Sequence, residues 1–142
     1  MDNPDHRSGE NIPQALAEGK GYMGFYLQND NGKSYHAENM EWRSILRIAR
    51  RYGWQPMGTE PNMDYLNKRA RHPDGGYDED VLNNIIGSWR GSYLTKERQY
   101  VTYADALNIA FALEEAVRDN NIEEEKVRDF ISFCKTGRFS IM

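Results

Sequence analysis

Residues 22–54 read "YMGFYLQNDNGKSYHAENMEWRSILRIARRYGW", and within them the spacing of the apolar residues changes. The first half places an aromatic-rich run before "NDNG" and a shorter one after it. Asn31-Gly32 offers the two positive-φ positions a tight turn wants, which predicts a β-hairpin. In the second half Trp42, Ile45, Leu46, Ala49 and Tyr52 recur at helical spacing. Asn39 stands as the expected cap and Gly53 where a left-handed stop belongs. A hairpin that runs straight into an amphipathic helix is the beginning of an α+β fold.

The rest of the chain extends that expectation. Residues 55–76 carry turn signals at Pro56, Gly58, Pro61, Pro73, Gly75 and Gly76, with one short helix predicted across "MDYLNKRAR". "DEDVLNNIIGSW" reads as a second short helix with Val81, Leu82, Ile85 and Ile86 inward and acids at its start. "SYLTKERQYVT" reads as two extended runs around a charged turn. Thr102 with Asp105 then opens the strongest helix, "YADALNIAFALEEAVRDN", whose apolar face is Ala106, Leu107, Ala110, Leu113 and Val117. Asn121 with Glu124 opens the next, with Val127, Phe130, Ile131 and Cys134 at i, i+3, i+4 and i+7. Gly137 ends it before a short "RFSIM" strand. The predicted architecture is a small, mainly antiparallel sheet packed against about three main helices around a single core. That α+β domain spans residues 22–142 behind a mobile leader, 1–21, rich in Pro and Gly. Met23, just before the first strand, offers itself as an alternative translation start.

Composition narrows the function classes. The chain has 142 residues, 39% of them hydrophobic, and a formal net charge of −4, with a mean hydropathy of −0.86 and a pI near 5.4. These values predict a soluble domain. No run approaches the roughly 20 apolar residues of a membrane span, the N-terminus lacks a secretory apolar region, and a lone Cys134 excludes an intrachain disulfide. A cytoplasmic protein is expected.

Chemistry-bearing motifs are sparse. The three histidines have no metal-ligand spacing, "NDNGKS" lacks the glutamate that closes a calcium loop, and no phosphate-binding glycine loop or nucleophile elbow occurs. No cofactor, no metal and no catalytic residue are assigned. Cys134, on the apolar stripe of its helix, is expected in the core. His72-Pro73-Asp74 resembles the tripeptide of J-domain co-chaperones, but the flanking spacing does not follow that family, and Pro-Asp-Gly serves an ordinary turn.

The candidate surface is basic and aromatic. Arg43, Arg47, Arg50 and Arg51 fall within about 80° to 180° on a wheel whose apolar face runs through Trp42. Residues 43–71 hold seven Lys/Arg against two acids. Such a face is solvated, paired with the acids of "EEAVRDNNIEEE", or used for contact. Tyr65, Tyr77, Trp89 and Tyr93 lie in turn-rich or edge segments, and tyrosine, tryptophan and arginine anchor protein interfaces. These eight residues are the expected binding surface for a protein partner, in a module of immunity or accessory type that acts by occluding its target. A small enzyme built on His36, His72, Asp74 and tyrosines is the alternative. Nucleic-acid binding through the 43–51 helix is a second, disfavoured by the acidic pI.

Three stretches, "RRYGWQPMGT", "SWRGSYLTKERQYVTYADALNIAFALEEAV" and "VRDFISFCKTGRFSIM", resemble a group of small uncharacterised bacterial proteins. The resemblance implies a bacterial source and no chemistry, and residues 62–87, "NMDYLNKRARHPDGGYDEDVLNNIIG", fit it least well.

Overall fold

The computed structural model describes residues 24–71, 74–76 and 78–142. The proposed leader, the Met23 start, His72, Pro73 and Tyr77 lie outside them. The chain runs β1 (Gly24–Asn29), β2 (Ser34–Glu38), α1 (Asn39–Arg51), α2 (Met63–Ala70), α3 (Glu79–Gly87), β3 (Gln99–Val101), α4 (Tyr103–Arg118), α5 (Glu124–Cys134) and β4 (Phe139–Ile141). The fold is α+β and, among the described residues, holds a four-stranded antiparallel sheet in the order β2-β1-β4-β3 and five helices.

The hairpin forms where the sequence places it, with Tyr26 opposite His36 and Gln28 opposite Ser34, but its turn is built differently. Only Gly32 has positive φ, at 82°. The Asn29 carbonyl accepts from the Gly32 N–H at 3.2 Å, and the Asn29 N–H donates to the Lys33 carbonyl at 2.9 Å. That is the three-residue loop in which a left-handed glycine follows a turn. Asn29 Oδ1 holds it by accepting from the backbone N–H of Asn31 and Lys33, both at 2.9 Å. Asn31 therefore needs no left-handed conformation.

Helix starts shift by a residue or two from their expected places. α1 is capped by Glu38 rather than Asn39, through a reciprocal box with Glu41. α5 starts at Glu124 behind Glu123. α4 begins as expected, with the Thr102 hydroxyl accepting from the Asp105 N–H at 3.2 Å. Of the 92–102 segment, only Gln99–Val101 joins the sheet. β4 lies between β1 and β3, pairing Leu27 and Gln99 on its two sides with Ile141.

One face of the sheet packs against α1, α4 and α5. Phe25 and Leu27, Tyr35 and Ala37, Val101, and Phe139 and Ile141 point into this layer. There they meet Trp42, Ile45 and Ala49 of α1, Ile109 and Leu113 of α4, and Val127, Phe130 and Cys134 of α5. Phe130 sits at the centre, edge-on to Trp42 at 5.6 Å and tilted against Tyr35 at 5.1 Å.

The expected single core is divided. α2 and α3 pack on each other around Leu66, Ala70 and Leu82, a second cluster beside the main one. α3 turns only part of its apolar set inward: Leu82 is buried, whereas Val81 and Ile86 are 41% and 38% exposed. On α4, Leu107 and Val117 are half-buried, and Ile109 carries the burial that was expected of them.

A groove between α1 and the 92–94 segment

A glycine stop determines where the site begins. α1 ends at Tyr52 with Gly53 at φ 101°. The Gly53 N–H donates to Arg50 O at 3.2 Å, and the Trp54 N–H reaches back to Ala49 O at 3.0 Å. These two hydrogen bonds close the helix and fold the chain sharply under its last turn. Trp54 is thereby carried beneath α1, where it is 3% exposed, and its indole N–H donates to Asp105 Oδ1 at 2.8 Å.

Asp105 is fully buried at the start of α4. Besides Trp54, it accepts from the Tyr93 hydroxyl and, at 3.5 Å, from the Met57 N–H. Donated hydrogen bonds replace the water that a buried carboxylate loses. The Tyr93 hydroxyl in turn accepts from the Gly58 N–H at 2.8 Å. Burial, then the hydrogen bond to Asp105 and its charge, push the Tyr93 phenol well above its ordinary range. Its ring meets the Trp54 ring edge-on, at 5.2 Å and 82°.

The Tyr93 backbone is fixed as firmly as its side chain. Trp42, buried in α1, donates its indole N–H to Tyr93 O at 2.8 Å. Ser92 O accepts from the Thr59 hydroxyl at 3.0 Å and from Gln99 Nε2 at 3.1 Å. Gly91 approaches Gly58 so closely, at φ 68°, that a Cβ on it would stand 3.0 Å from Gly58 Cα. A loop some forty residues distant in sequence is thus fastened alongside α1.

Between them lies an open groove of about 520 Å³, lined by Arg43, Leu46, Arg47, Arg50, Trp54, Pro56, Ser92, Tyr93 and Leu94. Arg43, Arg47 and Arg50 follow one another at i, i+4 and i+7 next to Leu46, so three guanidinium groups edge an apolar floor. Arg51 is turned further around the helix and does not line it. All four arginines are exposed. The expected pairing with the acids near the α4–α5 junction does not occur among the described residues. There Glu114 takes Lys135, while Glu123 and Glu124 take Lys126 and Arg128 of their own helix. Helical spacing explains the last two, because i, i+3 and i, i+4 partners are already at hand.

Of the other aromatic candidates, the described ones, Tyr65 and Trp89, do not line this groove. Tyr65 lies in the α2–α3 pair, with the Arg69 and Arg98 guanidinium groups 5.8 Å and 5.3 Å from its ring centre. The Trp89 indole N–H is taken by Thr59 O at 2.9 Å. His36 packs edge-on against Tyr26, and Asp74 Oδ1 accepts from the Gly76 N–H at 2.9 Å, closing a local turn. Cys134 is buried in the core, and that burial raises its thiol pKa. Among the described residues no cluster of three or more His, Cys, Asp or Glu could hold a metal ion, and no helix is long and apolar enough to cross a membrane.

Sequence reasoning found the arginines and Tyr93 but missed Leu46, Trp54, Pro56 and Leu94 as one surface, and missed Asp105 as its support. For Asp105 a signal existed: it shares a helical stripe with Ile109, Ala112 and Ala116, and an acid on a buried stripe asks for donors. No protein-family model, no curated protein and no solved structure matches the chain.

Proposed function

We propose that the protein is a binding module for another protein and that the groove between α1 and residues 92–94 is its contact surface. One observation carries this reading: Arg43, Arg47 and Arg50, without an acidic partner among the described residues, border an apolar floor held rigid from beneath. Arginine beside apolar and aromatic surface is the composition that anchors interfaces. A fixed backbone lowers the ordering cost of binding. Such a module acts by covering its target, as an immunity-type or accessory protein does.

The test is affinity capture from native lysate with the wild-type chain and with Arg47→Glu, at low and at moderate salt, with absorbance at 260 nm recorded. A stoichiometric protein retained at moderate salt by the wild type and lost by the variant is the expected result. Salt-labile nucleic acid retained instead would replace this reading with phosphate binding. A protein retained equally by both chains would move the contact surface elsewhere.

A further inference from the structure

The groove also constrains what fits in it, and this inference rests on the protein-binding reading. We infer that its ligand is an extended acidic segment of the partner, with carboxylates set against the arginine row and an apolar side chain between them on the floor.

Spacing supports the extended form. Arg43 and Arg50 are separated by about 10.5 Å along the axis at a rise of about 1.5 Å per residue. An extended chain advances about 3.3 Å per residue and turns alternate side chains to opposite sides. Carboxylates two positions apart, about 6.6 Å, therefore match the step of about 6 Å from Arg43 to Arg47. The residue between them is turned away from that row, toward Leu46, Pro56 and Leu94.

Charge and surface chemistry indicate an acidic peptide rather than a polynucleotide. Arginine grips carboxylates through paired N–H donors, and the row carries no acid to compete with a ligand. Single-stranded nucleic acid requires free aromatic faces for its bases. Here the Trp54 ring is buried and set edge-on against Tyr93, the one other aromatic ring of the lining, and Leu46, Pro56 and Leu94 are aliphatic. The chain as a whole is also acidic, at −4, which repels a polyanion while leaving a short local row to attract a short acidic segment.

The probe is a library of random dodecapeptides displayed on phage and selected on the full chain. Selected peptides are then synthesised with a fluorescent label and titrated by polarisation. Enrichment of sequences with acids flanking an aliphatic or aromatic residue is expected. Arg47→Glu and Arg50→Glu should each weaken a selected peptide by about tenfold or more, the worth of a charge-assisted hydrogen bond. Leu94→Ser should weaken it by about fivefold through lost apolar contact, and Arg51→Gln, off the groove and without an acid to compete for Arg47, should do so by less than about twofold. Circular dichroism spectra identical to wild type would show that the exposed variants fold.

Enrichment of basic or neutral peptides, no enrichment, or binding insensitive to Arg47→Glu would overturn the inference. If lysate capture still depended on Arg47 in that case, the groove would remain a protein contact and only the acidic-segment reading would fall. If both failed, both would fall.

Discussion

The sheet with α1, α4 and α5 and the α2–α3 pair are both amphipathic structures, yet they bury very different amounts of apolar surface. In the first, every strand and three helices contribute to one continuous cluster centred on Phe130 and Trp42. In the second, two short helices share Leu66, Ala70 and Leu82, with Tyr65 and Ile85 half-covered. Both regions carry helical periodicity, and the smaller one is capped at both of its helix starts, since Asn62 and Asp78 accept the N–H groups of Tyr65 and Val81. A cap and a stripe decide that a helix forms. How much it buries depends on the layer opposite, and α3 has too little of one for Val81 and Ile86.

Trp42→Ala should have the largest effect. It empties the centre of the main cluster and leaves Tyr93 O without its donor, so a loss of about 3–5 kcal/mol is expected. Urea unfolding followed by the remaining tryptophan fluorescence would read it as one cooperative transition. A loss below about 1 kcal/mol would mean that the main cluster does not govern global stability.

Leu82→Ala should cost less, about 2 kcal/mol, because the small cluster is shallow and can collapse around the gap. Its effect should be confined. Amide exchange within Met63–Ala70 and Glu79–Gly87 should accelerate while α4 amides keep their protection. Equal acceleration in α4 would show that the two regions unfold as a unit.

A smaller effect is expected with rising pH. Burial raises the phenols of Tyr35, with Glu41 and Asp129 adding to the shift, and of Tyr93, with Asp105 adding to it. Below the unfolded value, near 10, both states keep these protons and the stabilisation is fully present. Above it the unfolded chain loses protons that the folded chain retains, so stability falls as pH rises, by about 1.4 kcal/mol per unit for each tyrosine. Urea titrations between pH 9 and about 11.5 should show this slope, and Tyr93→Phe should remove about half of it. A slope unchanged in Tyr93→Phe would separate the groove's support from alkaline unfolding.

Local features were legible in the sequence wherever short-range rules decide them. The hairpin, the stops at Gly53 and Gly137, the Thr102 cap and the stripe of Val127, Phe130, Ile131 and Cys134 all follow from neighbours within a turn or two. The arginine face of α1 was legible for the same reason. The other wall of the groove was not, because Tyr93 reaches α1 through the indole N–H of Trp42 across 51 positions, and nothing near either residue announces the other. Asp105 satisfied a local rule as a residue of the first helical turn, and that hid its long-range use by Trp54 and Tyr93. Nothing local to Gly91 announces its close approach to Gly58, which lets two loops touch.

The position of β4 has a consequence for biosynthesis. Gln28 and Ser140 are ladder partners 112 residues apart. At roughly 5–20 residues per second, a ribosome needs on the order of 6–20 seconds to travel that distance. During this interval the β1–β2 hairpin has left the exit tunnel with one edge of β1 unpaired and Phe25 and Leu27 uncovered, a template for strand addition by a neighbouring nascent chain. That edge stays open to such pairing until Phe139–Ile141 emerges and closes the sheet.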